Sequence, residues 1–303
     1  MIVIVGVPGE DPVRHLLDAA SRIGVATLLL PEPDAASWNL RVECADGEVR
    51  GWVDRPGGTV DLDAATGVYL RLISPRQHQR PDPLRQQRQD AALALVCSWA
   101  EVTRARVANR PSAMASNTSK PYQAALIRRF GFDVPETVVT NDPGEVGQFQ
   151  RRLGRVVFKS TSGTRSIVHE LTPARAATLE RVRNLPTQFQ QLLVGTNVRV
   201  HVIGRQVFAC EIIAETVDYR YREGGSPARM HPVDLPSEVE KRCLDLSAAL
   251  DLPLAGIDLL RDADGRWWCF EVNPSPAYSC FSEPTGLPMA EALARWLGGC
   301  EPV

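Results

Sequence analysis

The stretch Ala255-Gly256-Ile257-Asp258-Leu259-Leu260-Arg261-Asp262-Ala263-Asp264-Gly265-Arg266-Trp267-Trp268-Cys269-Phe270-Glu271-Val272-Asn273-Pro274 constrains the fold more than any other part of the chain. Two apolar runs flank Asp264-Gly265, a dipeptide suited to a two-residue hairpin loop because glycine accepts a positive φ at no cost. Such a loop sets Asp258 directly opposite Glu271. Cross-strand neighbours have Cβ atoms about 4.5–5.5 Å apart, so the two carboxylates repel unless a cation intervenes. Asn273, two residues beyond Glu271, shares its face of the strand. Two carboxylates and an amide oxygen, with no His or Cys beside them, form a hard-oxygen donor set suited to Mg²⁺ (or Mn²⁺) carrying phosphates and unsuited to zinc. Two alternatives stay open: a four-residue loop makes Asp258 a diagonal neighbour, and a solvated edge hairpin needs no metal.

Lysine is the second sparse signal. Of 34 basic residues only Lys120, Lys159 and Lys241 are lysines, as expected where a compact ammonium is needed; coding bias explains the count equally well. A formal net charge of -2 offers no basic surplus for a nucleic-acid backbone. With 303 residues, 44% hydrophobic and 23% charged, the composition is that of a globular chain, not of a disordered, fibrous or disulfide-stapled one. Met1 to Val7 is apolar but lacks a basic flank and is interrupted by Pro8, so it reads as a buried strand and not as a signal peptide. No apolar run approaches the ~18 residues of a membrane span. Seven scattered cysteines without a Cys-x-x-Cys spacing suit reduced thiols, hence a cytoplasmic location.

Along the chain, residues 1–112 open β-α-β, with a strand at Ile2–Val5, a helix at Val13–Ile23 and a strand at Ala26–Leu30, and close with an amphipathic helix from Gln86 to Arg104. The fold class is therefore α/β. Gly6-x-x-Gly9 lacks the third glycine of a dinucleotide fingerprint. A helix from Pro121 to Phe130, stopped by Gly131, places Lys120 at its N-terminus, where free N–H groups favour phosphate. A strand at Val156–Lys159 runs into a hydroxyl-rich loop, Ser160 to Ser166, whose N–H groups are suited to folding over a polyphosphate although it is no Walker motif. A strand at Ile167–Leu171, a helix at Pro173–Arg183 and a strand from Phe189 follow. Val198–Ile203 and Val207–Ile213 then form a hairpin around Gly204-Arg205, and a last helix spans Met289–Leu297. Alternation in the first hairpin strand puts Asn197, Arg199 and His201 on one face. An arginine in a valine-rich strand needs an anionic partner if that face is covered.

In this order and spacing, Ser119-Lys120, Val157-Phe158-Lys159 with its Ser/Gly loop, Phe189-Gln190-Gln191-Leu192-Leu193, Asn197 to Val202 and Phe270 to Pro274 resemble the ATP-grasp superfamily of carboxylate-amine ligases. Within it they are similar to the RimK-like group and to the graspetide (microviridin-type) peptide-modifying ligases, over Asn109 to Leu297. The resemblance implies an N-terminal pre-ATP-grasp domain (1–112), then two ATP-grasp lobes (113–190 and 191–303) that clasp ATP between antiparallel sheets. It implies that Lys120 and Lys159 contact the phosphates, with Ser162 and Gly163 in the loop over them. Gln190, Gln191, Leu192 and Leu193 would hold adenine mainly through backbone atoms, with Asn197 nearby. Arg199 would stabilise the transferred phosphoryl group, and Asp258, Glu271 and Asn273 would hold Mg²⁺. Gln191 and Asn197 depart from the glutamate and aspartate common in such families. Asp218-Tyr219-Arg220 is similar to the Asp-Trp-Arg stretch of graspetide ligases, which gives Arg220 a role in orienting the acceptor; a plain loop arginine is the alternative.

The implied activity is ATP-dependent ligation. A substrate carboxylate becomes an acyl phosphate, and an amine or hydroxyl of a peptide or amino acid then displaces phosphate. Phosphoryl transfer needs positioning and charge neutralisation and no protein nucleophile, in keeping with the lack of a Ser-His-Asp, Cys-His or Gly-x-Ser-x-Gly arrangement. His201 and Asp218 are the candidate bases. Joining two molecules and closing a ring within a ribosomal precursor peptide are both open. A regulatory nucleotide-binding module and a kinase are the rivals from other classes. Families of this kind often dimerise.

Overall fold

The computed structural model describes residues 1–72, 82–160, 167–214 and 228–300. It begins with β1 (Ile2–Gly6), α1 (Asp11–Arg22) and β2 (Thr27–Pro31), the expected β-α-β unit with parallel pairing. Every residue of β1 is buried, which is why the run lacks alternation. Ile2 and Ile4 pack with Val13 and Leu16 of α1, whereas Val3 and Val5 pack on the opposite side with Trp99 and Leu62. A strand covered on both faces must be apolar throughout.

Between the parallel strands lies a small antiparallel sheet of β3 (Asn39–Ala45), β4 (Glu48–Arg55) and β5 (Gly58–Asp61). It has no counterpart among the sequence expectations, because Arg41, Glu43, Glu48 and Arg50 face solvent and little of β3 is buried. The chain returns with β6 (Gly67–Arg71), α2 (Pro83–Val102) and β7 (Arg106–Ala108), giving a parallel sheet in the order β2-β1-β6-β7. Helix α2 starts earlier than Gln86 because Asp82 accepts from the Leu84 N–H and Pro83 suits the first helical position.

Next come α3 (Pro111–Met114), α4 (Lys120–Arg129), β8 (Thr137–Thr140), α5 (Pro143–Leu153), β9 (Val156–Ser160), β10 (His169–Glu170), α6 (Pro173–Ala176) and β11 (Thr187–Gln191). Their strands form an antiparallel sheet in the order β10-β9-β11-β8, onto which α5 packs Val146 and Phe149. Gly131, at φ +81°, follows α4 as expected. The helix expected over Pro173–Arg183 is corrected: α6 ends at Ala176, and Leu179–Asn184 is a 3₁₀ segment. That segment stacks residues i and i+3 in line, which points Leu179 and Val182 together at the sheet. The strand expected over Ile167–Leu171 shrinks to β10, paired with β9 only at His169 and Glu170.

A third sheet contains β12 (Thr196–Ile203), β13 (Gln206–Ile213), β14 (Arg229–Pro232), β15 (Leu254–Arg261) and β16 (Trp267–Asn273), ordered β14-β13-β12-β15-β16 and antiparallel throughout. One face buries Val198, Val200, Val202, Ile257 and Leu259 beneath Val239, Cys243 and Leu246 of α7 (Ser237–Ala249). The chain ends with α8 (Ser279–Thr285) and α9 (Met289–Gly298). Helix α9 crosses back to the first sheet, where Leu293 and Leu297 join Ile2, Ile4 and Leu16 in one core that also holds Ile203 and Leu254. Among the described residues no helix is long and apolar enough to cross a membrane.

The two ends of the chain meet at Gly67. A Cβ there would lie 2.4 Å from the Leu297 carbonyl oxygen and 2.7 Å from its Cα, and neither backbone can yield easily. Gly67→Ala is expected to destabilise the protein by roughly 1–3 kcal/mol, read as a lower midpoint in denaturant with an unchanged slope.

Candidate active site

The face of the third sheet turned away from α7 carries the polar groups. Strand register aligns them in rows: Cys210, Arg199, Asp258 and Glu271 follow one another across β13, β12, β15 and β16, and Phe208, His201, Gly256 and Asn273 form the next row. Asp258 is indeed opposite Glu271, but not through a two-residue turn. The pair Arg261–Trp267 closes the ladder, and residues 262–266 form the loop, with Gly265 at φ +80°. Asp262 organises that wider loop by accepting from the Asp264 and Arg266 N–H groups and from the Trp268 indole. A bulge at Phe270 then adds one residue to β16 and restores the alignment of Asp258 with Glu271.

Both carboxylates are matched by cations. Arg199 Nη1 donates to Asp258 Oδ1 at 2.7 Å. Lys120 Nζ and Lys159 Nζ reach the same oxygen of Glu271, Oε2, at 3.0 and 3.3 Å. These five side chains are only 6–22% exposed. Burial alone would raise the Glu271 carboxyl, but the Lys159 and Lys120 ammoniums outweigh it and hold it at about 2.

Each cation is positioned by its own element. Lys120 opens α4, and Asn117 Oδ1 accepts from its ammonium at 2.8 Å. One turn on, the buried amide of Gln123 makes two bonds to the outer edge of β16: Nε2 donates to the Val272 carbonyl at 2.8 Å and Oε1 accepts from the Val272 N–H at 3.0 Å. Gln123 thus takes the place of a neighbouring strand and fixes α4 beside Glu271. Arg199 crosses Gly256, where an added Cβ would sit 2.0 Å from its Nη2. Its guanidinium also lies 5.3 Å from the Phe281 ring centroid.

A scan against family models matches residues 117–297 to the RimK-like ATP-grasp domain. The chain belongs to the RimK-like ATP-grasp family. A curated relative, the ribosomal protein bS6--L-glutamate ligase of Escherichia coli, is 25% identical over 205 residues, which is 62% of this chain and 66% of that protein. The structure of the ATP-grasp ligase PsnB, complexed with a phosphomimetic variant of a minimal precursor, Mg and ADP, is 27% identical with a TM-score of 0.78, over 99% of this chain and 98% of that one. The macrocyclase MdnC of Microcystis aeruginosa, bound with precursor peptide MdnA, shares the fold at 18% identity and a TM-score of 0.82, over 99% and 100% of the two chains. The expected ATP-grasp fold and family are therefore borne out.

Within this RimK-like ATP-grasp chain the register aligns Arg199, Asp258 and Glu271 with Asn273 on the same face, and packing brings Lys120 and Lys159 to Glu271. Asn273 Oδ1 accepts from the Ser275 N–H at 2.9 Å and keeps a second lone pair. Oxygen donors alone, two of them anionic, fit a hard cation. Among the described residues no three His, Cys, Asp or Glu residues cluster as a softer or richer site would require. Gln190 Nε2 donates to Thr137, and the N–H groups of Gln191 and Leu192 donate to the Glu136 and Arg155 carbonyls. Asn197 is half-buried on the Arg199 face. Ser162, Gly163, Asp218 and Arg220 lie outside the described residues.

His201 is fully buried, and burial followed by the Arg199 charge pushes its imidazole well below 6.5. It contacts Arg199 Nε at 3.5 Å and Phe281 at 5.0 Å between ring centroids. A neutral, enclosed ring of this kind braces the arginine and is a poor general base. Burial likewise pushes Cys210 up to about 11 and Cys243 up to about 12, so both are thiols. Asn117, Gln123, Gly256 and Phe281 escaped the sequence reading. For Gln123 the usable signal was its place one helical turn after Lys120.

Gly256→Ala is expected to displace the Arg199 guanidinium, lowering kcat at least about tenfold, roughly 1.4 kcal/mol, and also the melting temperature, because the added Cβ would lie 2.8 Å from Pro276 Cβ as well. His201 also gives a pH signature. A histidine whose folded pKa is depressed costs stability as pH falls below its unfolded value, here 6.5. Between about pH 7 and about pH 5 the native protein should therefore lose more stability than His201→Phe, as measured by denaturant midpoints.

Proposed function

We propose that the protein is an ATP-dependent ligase that activates a carboxylate as an acyl phosphate and couples it to an amine or hydroxyl of a peptide or amino acid. One observation carries this reading: Lys120, Lys159 and Arg199 converge from three elements on Asp258 and Glu271. Three cations facing two carboxylates leave a positive surplus in a partly dehydrated site, which favours a polyanion such as ATP. On this reading the ammoniums of Lys120 and Lys159 turn from Glu271 to the phosphates. Asp258, Glu271 and Asn273 would hold Mg²⁺ or Mn²⁺, which supplies charge neutralisation on the phosphate oxygens when bound.

Arg199, held flat over Gly256 and against Phe281, is aimed to stabilise charge on the phosphoryl group as the substrate carboxylate attacks it. On this reading residues 190–193 and Asn197 line the nucleotide. Arg220 orients the acceptor, and residues 1–112 form an N-terminal domain that contributes to substrate recognition. The product of the first step is an acyl phosphate and ADP; the amine or hydroxyl then attacks the acyl carbon, and phosphate leaves. Likeness at 27% identity to an ATP-grasp ligase solved with a minimal precursor supports a precursor peptide as the substrate, with ring closure within it as the specific version.

The test is ADP and phosphate release from Mg-ATP with pooled peptides and amino acids, followed by mass spectrometry. A peptide lighter by one water marks ring closure, and a joined mass marks ligation between molecules. A phosphorylated peptide would instead make the protein a kinase, and nucleotide binding without turnover in the presence of a peptide encoded beside it would overturn the ligase reading. In the same assay Lys159→Arg should lose about hundredfold in turnover, roughly 2.7 kcal/mol, because a planar fork cannot replace a point ammonium.

A further inference from the structure

The segment after the metal strand, Pro274 to Tyr278, is held almost entirely by groups from residues 1–112, outside the matched domain. Arg71, at the end of β6, donates through Nη1 to the Ser275 carbonyl at 2.6 Å and to Ser275 Oγ at 2.8 Å. The rest of its guanidinium grips Glu10, with Nη2 at 2.6 Å and Nε at 2.9 Å from Oε1. Both partners are largely buried, at 9% and 19% side-chain exposure. Tyr278 Oη donates to the Pro12 carbonyl at 2.5 Å, and Asn109 Nδ2 donates to the Pro274 carbonyl at 2.5 Å. Tyr278 and Asn109 anchor the two ends of the segment; Arg71 alone among these three grips Ser275.

Ser275 is the residue whose N–H donates to Asn273 Oδ1. That bond fixes the orientation of the Asn273 amide and leaves its oxygen a second lone pair. An amide oxygen is a ligand for a hard cation, whereas an amide NH₂ carries positive partial charge and repels one. Supporting groups behind a ligand commonly set metal affinity by fixing its orientation.

We propose that Arg71 is a positioning residue: through Ser275 it fixes the orientation of the Asn273 amide, so that the N-terminal sheet tunes cation affinity in the ATP-grasp centre. The Glu10 carboxylate holds the guanidinium in the plane that reaches Ser275. This rests on the metal reading given above, and the variants separate the two.

Mn²⁺ binding to the full-length protein in the presence of saturating ADP, followed by electron paramagnetic resonance, is the decisive readout, with ADP affinity measured separately in a chelator. Arg71→Lys keeps the charge beside Glu10 but loses the fork to Ser275. The double variant Glu10→Gln/Arg71→Met removes both charges and strands neither, which guards against misfolding of the single variant. Each is expected to weaken Mn²⁺ binding at least about fivefold while ADP affinity stays within about twofold. Unchanged Mn²⁺ binding in the folded variants, beside a Glu271→Gln control that loses it, overturns the role of Arg71 and leaves the metal reading standing. Wild-type Mn²⁺ binding by Glu271→Gln overturns both.

Discussion

Two ammonium groups, one at the start of α4 and one on β9, converge on a single oxygen of Glu271 at 3.0 and 3.3 Å. Lys159 belongs to the β10-β9-β11-β8 sheet and Glu271 to the β14-β13-β12-β15-β16 sheet, so this contact closes the gap between them. The attraction is strong because the groups are partly dehydrated, and it persists because two cations share the work of compensating burial. Asp258 beside Glu271 would be repulsive in isolation. Arg199 answers that charge from the next strand, and with Lys120 and Lys159 the cluster of five side chains has one more cation than anions.

The cost of holding so many charges on one face is met on the other. Val198, Val200 and Val202 alternate with Asn197, Arg199 and His201, so the strand that presents the arginine is the same strand that anchors the core under α7. Gly256 is the complement of this design. Only a residue without Cβ lets the guanidinium lie across β15, and Phe281 closes it from above. The charged row and the structural packing are therefore one periodic pattern read on its two sides.

The N-terminal sheet is bound into this centre instead of hanging from it. Helix α9, from the far end of the chain, supplies Leu293 and Leu297 to the core of β1 and α1. Arg71, Pro12 and Asn109 hold the segment that leaves β16. Such a construction ties the geometry of β16 to elements that themselves carry none of the charged row.

Much of this was legible from local patterns. The unbroken apolar run of β1, the alternation in β12 and the sparse lysines each report a physical constraint that acts over a few residues. Asp258 and Glu271 were correctly placed opposite each other, although for an incomplete reason: the loop is wider than Asp264-Gly265 suggests, and the Phe270 bulge cancels the difference. Bulges depend on how a strand packs along its length, as do the partial strands β3–β5 and the 3₁₀ turn at Leu179–Asn184. The roles of Gln123, Gly256 and Phe281 were invisible for the same reason, since each acts on a residue distant in the chain. What the sequence alone determined was the kind of chemistry, because charge, side-chain length and strand period are local properties. Only the tertiary structure decided that Lys120, Lys159 and Glu271 share one point and that Arg71 reaches Ser275, because those meetings are set by the packing of separate sheets.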